Sequence, residues 1–182
     1  MIEVKINGLF LTQSQASGVI LKELQGDRTL PIIIGEYEAQ SIALGLENIK
    51  PPRPITHDLT LNIIESFGGQ VERIVVTELK NNTYYAVIQI RKKMKIVEID
   101  SRPSDAIAIA VRNDVPIFVA EGVMEKGAYS SEDMQEIEKG KVEVGQSRLD
   151  KLKKQLEDAV EQEEYEKAAK LRDEISKLDS PQ

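Results

Sequence analysis

The sequence predicts an α+β fold, with a mainly antiparallel mixed sheet, packed helices and a C-terminal α-helical hairpin. Strand-like and helix-like segments follow one another without the regular alternation of βαβ units. An Asn-Asn pair at 81–82 joins two runs of β-branched and aromatic residues, as in a β-hairpin. The composition then changes sharply near the C-terminus. These observations divide the chain into an α+β domain at residues 1–127, a polar linker at 128–145 and a helical hairpin at 146–180.

Strands dominate the first part of the predicted domain. The segments "EVKINGLFLT" and "GVILKEL" predict two strands joined by the turn-rich "QSQAS", and the unbroken apolar run "TLPIIIG" predicts a buried strand. In "EYEAQSIALGLENI" the apolar residues recur at helical spacing, and the prolines of "KPPRP" end that helix. Thr56 is the predicted N-cap of a second helix, "HDLTLNIIESF", which Gly68 and Gly69 end.

The second part adds a strand hairpin, a further strand and a helix. The runs "QVERIVVTEL" and "TYYAVIQI" form the Asn-Asn hairpin, and "KIVEID" follows the basic turn "RKKMK". Such a turn is usually only solvated, and its alternative role is a contact with a phosphate backbone. A helix from Pro103 to about Asn113 and the short strand "VPIFVA" complete the domain.

The C-terminal segment predicts two short amphipathic helices. Ser147 and Asp150 resemble a capping box, with Asp in place of the usual Glu. Two apolar stripes follow, separated by "EQEE": Leu149, Leu152, Leu156 and Val160, then Ala168, Leu171, Ile175 and Leu178. Isolated helices of fewer than about 12–15 residues are marginally stable, so this hairpin needs a partner surface, either a second copy or another protein.

Composition limits the function classes. The 182 residues include no Cys and no Trp, which excludes thiolate zinc sites and disulfides and fits a reducing, cytoplasmic setting. A net charge of −7 argues against a tight, non-specific grip on nucleic acid. No apolar run is long enough for a membrane span, and the N-terminus lacks the features of a signal peptide. Phosphate-binding and dinucleotide-binding glycine motifs are absent, so no organic cofactor is expected.

Two families are recognisable in these residues. The ordered motifs G-E-x-E-A, P-P-R-P-x-T-H-D and R-P-S-D-A resemble the bifunctional nuclease domain family over about residues 1–125. That resemblance implies a compact α+β fold, oligomerisation and nuclease activity on RNA and DNA. The tail "LKKQLEDAVEQEEYEKAAKLRDEISKL" resembles the UVR motif, a helical hairpin that pairs with another hairpin, although Tyr165 stands where Phe is frequent.

The stretch Arg102-Pro103-Ser104-Asp105 has two interpretations. Pro in the first turn, Ser and Asp all suit the start of a helix without any further role. Capping does not explain Arg102, because a positive charge is disfavoured at that end of a helix. A helix N-terminus beside an arginine also suits a phosphate group, so Arg102 indicates either a site or an ion pair.

Two other helix starts carry candidate residues. His57 is the sole histidine and most often such a residue packs near a helix cap, but it could serve as a general base or metal ligand with Asp58 as its orienter. Glu36 and Glu38 open the first helix, where acids are favoured by the helix dipole and could also bind Mg²⁺ or Mn²⁺. The idea of a site requires these helix starts to converge.

The resulting hypothesis is a nuclease that hydrolyses phosphodiester bonds of DNA or RNA, assisted by a divalent metal. Predicted roles are catalysis for His57, Asp58, Arg102 and Asp105, phosphate binding for Arg53, Arg102 and Ser104, and metal binding for Glu36 and Glu38. The alternative is a non-enzymatic, homo-oligomeric adaptor or regulator, whose partner binds residues 146–180. The acidic charge and scarce aromatics favour this alternative.

Overall fold

The computed structural model of the chain describes residues 1–12 and 16–130, together with 155–156, 159–160, 164, 167–172 and 175. The strands are β1 (Ile2–Leu11), β2 (Ser17–Glu23), β3 (Thr29–Ile34), β4 (Gln70–Lys80), β5 (Thr83–Lys92), β6 (Lys95–Ser101) and β7 (Ile117–Val119). The helices of residues 1–130 are α1 (Glu36–Leu46), α2 (Thr56–Ser66), α3 (Pro103–Asn113) and α4 (Glu121–Gly127).

All seven strands form one mixed sheet in the order β3-β2-β1-β7-β4-β5-β6. Neighbours pair antiparallel except β4 and β7, which run parallel. The short β7 therefore joins an N-terminal meander, β1 to β3, to a second meander, β4 to β6. The predicted α+β class with a mainly antiparallel, mixed sheet is confirmed.

One face of the sheet forms the hydrophobic core with the helices. On this face Ile74 lies opposite Ile88, and Val76 lies opposite Ala86, with all four side chains at most 5% exposed. Ile42 of α1 and Ile107 of α3 are completely buried in the same cluster. Alternation along the strands sends Arg73 and Gln89 to the opposite face, where they hydrogen-bond to each other.

Both hairpins of the second meander turn where the sequence indicates. Asn81 and Asn82 have φ of 49° and 58°, the left-handed values that a two-residue hairpin turn requires. In the basic turn, Lys93 has a φ of 55° and Lys92 pairs directly with Lys95 across the ladder. The predicted hairpin and the strand after the basic turn are confirmed.

Two boundaries differ from the expectations. Helix α2 begins one residue earlier than predicted, because Ile55 rather than Thr56 is its N-cap and Thr56 is its first helical residue. The segment predicted as a linker from residue 128 begins with packed residues: Ala128 and Tyr129 are buried, and Tyr129 pairs with Thr29, the first residue of β3. The sequence does not indicate that the packed domain extends past residue 127, because α4 is short and the residues around it are polar.

Part of the C-terminal segment is also described. Residues 155–156, 159–160, 167–172 and 175 are helical, as the predicted hairpin requires. Ala159 and Ala168 are only 2% and 5% exposed, whereas the neighbouring Val160 is 46% exposed. Leu149, Leu152 and Leu178 of the two predicted stripes, and Tyr165, lie outside the described residues. Within the described part of the chain, no helix is sufficiently long and apolar to cross a membrane.

Candidate active site

Three helix beginnings meet at one end of the helical layer. Helix α3 packs against both α1 and α2, so their first turns lie side by side. Each helix begins after an extended residue: Gly35 for α1, Ile55 for α2 and Arg102 for α3. The side chains that meet there form one hydrogen-bonded network: Glu38, Ser41, His57, Asp58, Arg102, Asp105 and Arg112.

Arg102 links the starts of α3 and α1. Its Nε donates to Asp105 Oδ2 at 2.8 Å, its Nη2 donates to Asp105 Oδ1 at 3.1 Å, and its Nη1 donates to Glu38 Oε1 at 2.9 Å. Three of the five guanidinium N–H groups are used in these contacts, which leaves two. Because its side chain is 65% exposed, these N–H groups are accessible to a ligand from solvent.

His57 connects the start of α2 to both neighbours. Its Nδ1 lies 2.9 Å from Ser41 Oγ, and its Nε2 lies 3.2 Å from Asp105 Oδ1. Asp105 is ionised and accepts only, so the imidazole forms compatible with this contact carry a proton on Nε2. The imidazole is therefore arranged as a proton donor toward Asp105, with only 14% of its side chain exposed.

Arg112 supports the network from the last turn of α3. Its Nε donates to Asp58 Oδ1 at 2.8 Å, its Nη2 donates to Ser41 Oγ at 3.2 Å, and its Nη1 donates to the carbonyl of Ala108 at 2.7 Å. Asp58 Oδ2 also accepts the N-cap amide of Ile55 at 3.0 Å. Asp58 thus fixes the start of α2 and holds Arg112, while Asp105 hydrogen-bonds His57.

Hydrogen bonds from arginines favour the ionised forms of the two aspartates in the network. Burial acts to raise the pKa of Asp105, but hydrogen bonds from Arg102 and His57 outweigh it and lower the pKa. The pKa of Asp58 is also lowered, because the Ile55 amide and Arg112 outweigh the effect of burial. Hydrogen bonds to Asp105 and Glu38 raise the pKa of Arg102, which keeps the guanidinium charged.

The same ion pairs occupy the carboxylates that a metal ion at this end of the helices would need as ligands. Glu38, Asp58 and Asp105 each hydrogen-bond an arginine. No group of three or more His, Asp or Glu side chains among the described residues is arranged to hold a metal ion. Glu36 is exposed at the start of α1. The residues in this arrangement do not form a ready site for Mg²⁺ or Mn²⁺, so the metal roles of Glu36 and Glu38 stay predictions.

Two predicted phosphate ligands lie outside the network. Arg53 is exposed in the segment before α2 and makes no ion pair with any residue in the described ranges. Ser104 is in the first turn of α3 with only 6% exposed, which suits packing better than contact with a ligand. Their predicted roles are not tested by this geometry.

Two members of the network, Ser41 and Arg112, were not predicted. Ser41 is a polar residue beside the apolar positions Ala39 and Ile42, and its 7% exposure shows that it belongs to the buried side of α1. That interruption of an apolar stripe is the signal that could have identified it. Arg112 gave no such signal, because a basic residue in the last turn of a helix is ordinary.

The part of the chain that contains this network matches a known domain family and several known proteins. The family described as "Bifunctional nuclease domain" matches residues 19–132. An uncharacterized protein of Mycobacterium tuberculosis is 36% identical over 158 residues, which cover 86% of this chain and 94% of the relative. Bifunctional nuclease 2 of Arabidopsis thaliana is 30% identical over 187 residues, covering 89% of this chain and 55% of the plant protein.

A second match covers the C-terminal segment. The UvrB/uvrC motif matches residues 146–180, the range predicted as a helical hairpin. The first match includes every residue of the charged network, since Glu38 and Arg112 both lie between residues 19 and 132. The chain belongs to the bifunctional nuclease domain family and carries a UvrB/uvrC motif after that domain.

Proposed function

We propose that this protein is a nuclease that hydrolyses phosphodiester bonds of DNA, RNA or both. The observation that carries the proposal is the hydrogen-bonded series Arg102–Asp105–His57, with a cation open to solvent beside a proton-donating imidazole. Family membership supports the same reaction class, since the plant relatives are named bifunctional nucleases. Phosphodiester hydrolysis needs a cation for the phosphate and a donor for the leaving oxygen.

Arg102 and His57 have different roles in the proposed hydrolysis. The two N–H groups of Arg102 that remain bind non-bridging oxygens of the phosphate, whose negative charge increases in the transition state. Water attacks phosphorus and loses its proton to solvent, the bond to the leaving oxygen breaks, and that oxygen takes the Nε2 proton of the His57 imidazolium, which leaves its contact with Asp105. The neutral imidazole then regains a proton from solvent. Asp105 stabilises the imidazolium before this transfer.

Ser41 and Arg112 act as positioning residues. Arg112 donates to Ser41 Oγ, so the serine hydroxyl is directed to accept or donate at His57 Nδ1. Burial of Ser41 argues against its acting as a nucleophile, because an incoming phosphate needs an accessible oxygen. The pair instead fixes the plane of the imidazole, which determines where Nε2 delivers its proton.

Metal assistance is a separate part of the proposal. Glu36 and Glu38 are the candidate carboxylates, with Mg²⁺ or Mn²⁺ as the candidate ions. Glu38 would first have to release Arg102, and no step above depends on a metal. Cleavage measured with Mg²⁺, with Mn²⁺ and with a chelator tests the requirement. Full activity in chelator would remove the metal from the proposal.

The decisive experiment compares the purified protein with His57→Gln and Arg102→Gln on single-stranded DNA and RNA. We expect His57→Gln to lower the rate by about 10²- to 10⁴-fold, the usual contribution of a general acid. Lys5→Gln, an exposed change on β1, is the matched surface control. Identical cleavage by all four proteins would identify a contaminating nuclease and overturn the proposal.

A second candidate function is a non-enzymatic adaptor that works as a homo-oligomer. The match of residues 146–180 to the UvrB/uvrC motif favours it, because that segment resembles a hairpin that binds another hairpin. An apolar stripe on α2 and its C-cap is also exposed: Leu59, Ile63 and the C-cap Phe67 are 51%, 49% and 72% exposed. Both features suit protein contacts better than catalysis.

Truncation separates the two candidates. We expect a chain ending at Gly145 to keep the fold and any nuclease activity but to lose a protein contact, measured by light scattering as fewer chains per particle. A truncated protein that unfolds far below the full-length protein would contradict an independent domain. An unchanged number of chains per particle would mean that residues 146–180 do not mediate self-association.

A further inference from the structure

A second surface lies at the opposite end of the helices from His57. A cavity of about 630 Å³ opens beside the turn that follows α2. Its lining residues include Gly68 and Gly69, and Arg91 and Lys93 from the β5–β6 turn. Asn113, at the last turn of α3, completes this side of the cavity.

The β5–β6 turn, residues 91–95, concentrates positive charge in an otherwise acidic protein. It reads Arg-Lys-Lys-Met-Lys, which gives four cations in five residues. Arg91 is paired with Glu72, but no carboxylate of the described residues lies within ion-pair distance of Lys92, Lys93 or Lys95. The turn is therefore an exposed cationic cluster.

The register of this turn opposes folding. Lys92 and Lys95 are direct partners in the antiparallel ladder, and like charges placed opposite each other destabilise a hairpin. Lys93 adopts a φ of 55°, a conformation that suits Gly or Asn better. Met94 is 95% exposed at the tip. The Lys92–Lys95 pair and Lys93 thus depart from local preferences, and such departures are expected at functional sites.

Electrostatics at this end favour an anion in spite of the nearby helix ends. The carboxyl ends of α2 and α3 each contribute about half a negative charge. Glu65 adds one full negative charge to the cavity wall. The lysines alone contribute three positive charges, so the cluster outweighs these opposing charges in number.

We propose that the cluster of Lys92, Lys93 and Lys95 beside this cavity binds the phosphate backbone of a nucleic-acid strand at a distance from the cleavage point. The inference rests on the proposed nuclease function, which gives the strand its other contact at Arg102. Helix α2 has 11 residues and, at 1.5 Å per residue, separates the two surfaces by about 16 Å. A stacked strand rises 3.4 Å per nucleotide, so the surfaces are roughly five nucleotides apart.

The test measures binding separately from cleavage. Fluorescently labelled single-stranded DNA of about twelve nucleotides, long enough to span both surfaces, is titrated with protein in chelator at several salt concentrations. The variant carries Lys92→Gln, Lys93→Gln and Lys95→Gln together. We expect affinity to fall tenfold or more at low salt, and the slope of log affinity against log salt to decrease by about 2, at about 0.7 per lost phosphate contact.

The matched control carries Lys5→Gln, Lys80→Gln and Lys126→Gln, three exposed lysines whose removal changes the net charge equally. We expect it to lose little affinity, and an Arg version of the cluster to bind like the unmodified protein. Equal losses in both triple variants, or no loss in the cluster variant, would overturn the proposal. Binding that depends on the cluster without any cleavage would reject the nuclease function but keep this surface.

If cleavage is observed, substrate length provides a second measure. The cluster variant should show a higher KM for a strand of about twelve nucleotides with kcat unchanged, because binding at a distance does not alter the chemical step. A trinucleotide, which cannot reach from Arg102 to the cluster, should be cleaved equally by both proteins. A loss of kcat on the trinucleotide would contradict a role confined to strand binding.

Discussion

The two ends of helices α2 and α3 differ in whether their charged side chains are paired. At the amino ends, Asp58, Arg102 and Asp105 all have charged partners, and Arg112 reaches Asp58 from the last turn of α3. At the carboxyl ends, the cluster of Lys92, Lys93 and Lys95 lacks carboxylate partners among the described residues. Paired charges fix geometry, whereas unpaired charges leave attraction available for a ligand. Catalysis needs the first property and strand binding needs the second.

The largest expected effect is on chemistry at the paired end. His57→Gln removes the Nε2 proton donor while keeping a polar side chain, so cleavage should fall by about 10²- to 10⁴-fold. Binding of an oligonucleotide in chelator should change little, because the cluster at the other end is intact. Activity within twofold of the unmodified protein would show that the paired end is structural only.

The next largest expected effect is a difference in the free energy of unfolding between variants of two arginines in the same network. The side chain of Arg112 is 9% exposed, so Arg112→Met leaves Asp58 without its cation and should lower the free energy of unfolding by about 3 kcal/mol. Arg102→Met is the matched control, since a 65% exposed ion pair should contribute less than about 1 kcal/mol. Urea denaturation of both variants measures the difference. Equal losses would mean that burial does not distinguish them.

A smaller effect concerns acid stability. The native pKa of Asp58 is lowered, so its contribution to stability is fully present above the ordinary carboxyl value of 3.8. That contribution is lost as the pH falls below this value toward the native pKa. The melting temperature of Asp58→Asn should therefore be below that of the unmodified protein at pH 6, with a smaller gap at pH 3. A gap that is constant with pH would contradict the linkage.

The smallest expected effect is an increase in stability rather than a loss. Lys92→Thr removes one of two like charges that face each other in the ladder, so the protein should become more stable by about 0.2–1 kcal/mol. The gain should disappear in high salt, because screening already weakens the repulsion between exposed charges. Lys80→Thr, at the other hairpin, is the control. Loss of stability in Lys92→Thr would mean that the lysine has a structural partner.

The sequence predicted which helix starts would carry charge, but not how the charges would pair. Hydrophobic spacing and the Asn-Asn turn were sufficient for the seven strands and for α1, α2 and α3, since these depend on local patterns, but the short α4 was not predicted. Arg102 was correctly singled out because its charge conflicts with the helix dipole. Its partner Glu38 lies 64 residues away, and local spacing contains no information on such a contact.

The contacts of His57 also could not be predicted from local sequence spacing. Asp58 is adjacent in sequence and was the predicted orienter, but adjacent residues on a helix point about 100° apart. The carboxylate that His57 meets is Asp105, 48 residues further along the chain. Ser41 and Arg112 were missed because their roles follow from the packing of α1 and α2 on α3, which no single segment specifies.

The position of β7 affects how a growing chain completes its sheet. Ile2 pairs with Val119, so the two meanders cannot join until about 120 residues have been synthesised, which takes roughly 6 to 24 s at common rates of translation. Until then β1 and β4 each present an open edge that another nascent chain could extend. We expect a fragment ending at Asn113 to aggregate, as light scattering would show, whereas one ending at Ser130 should stay monodisperse.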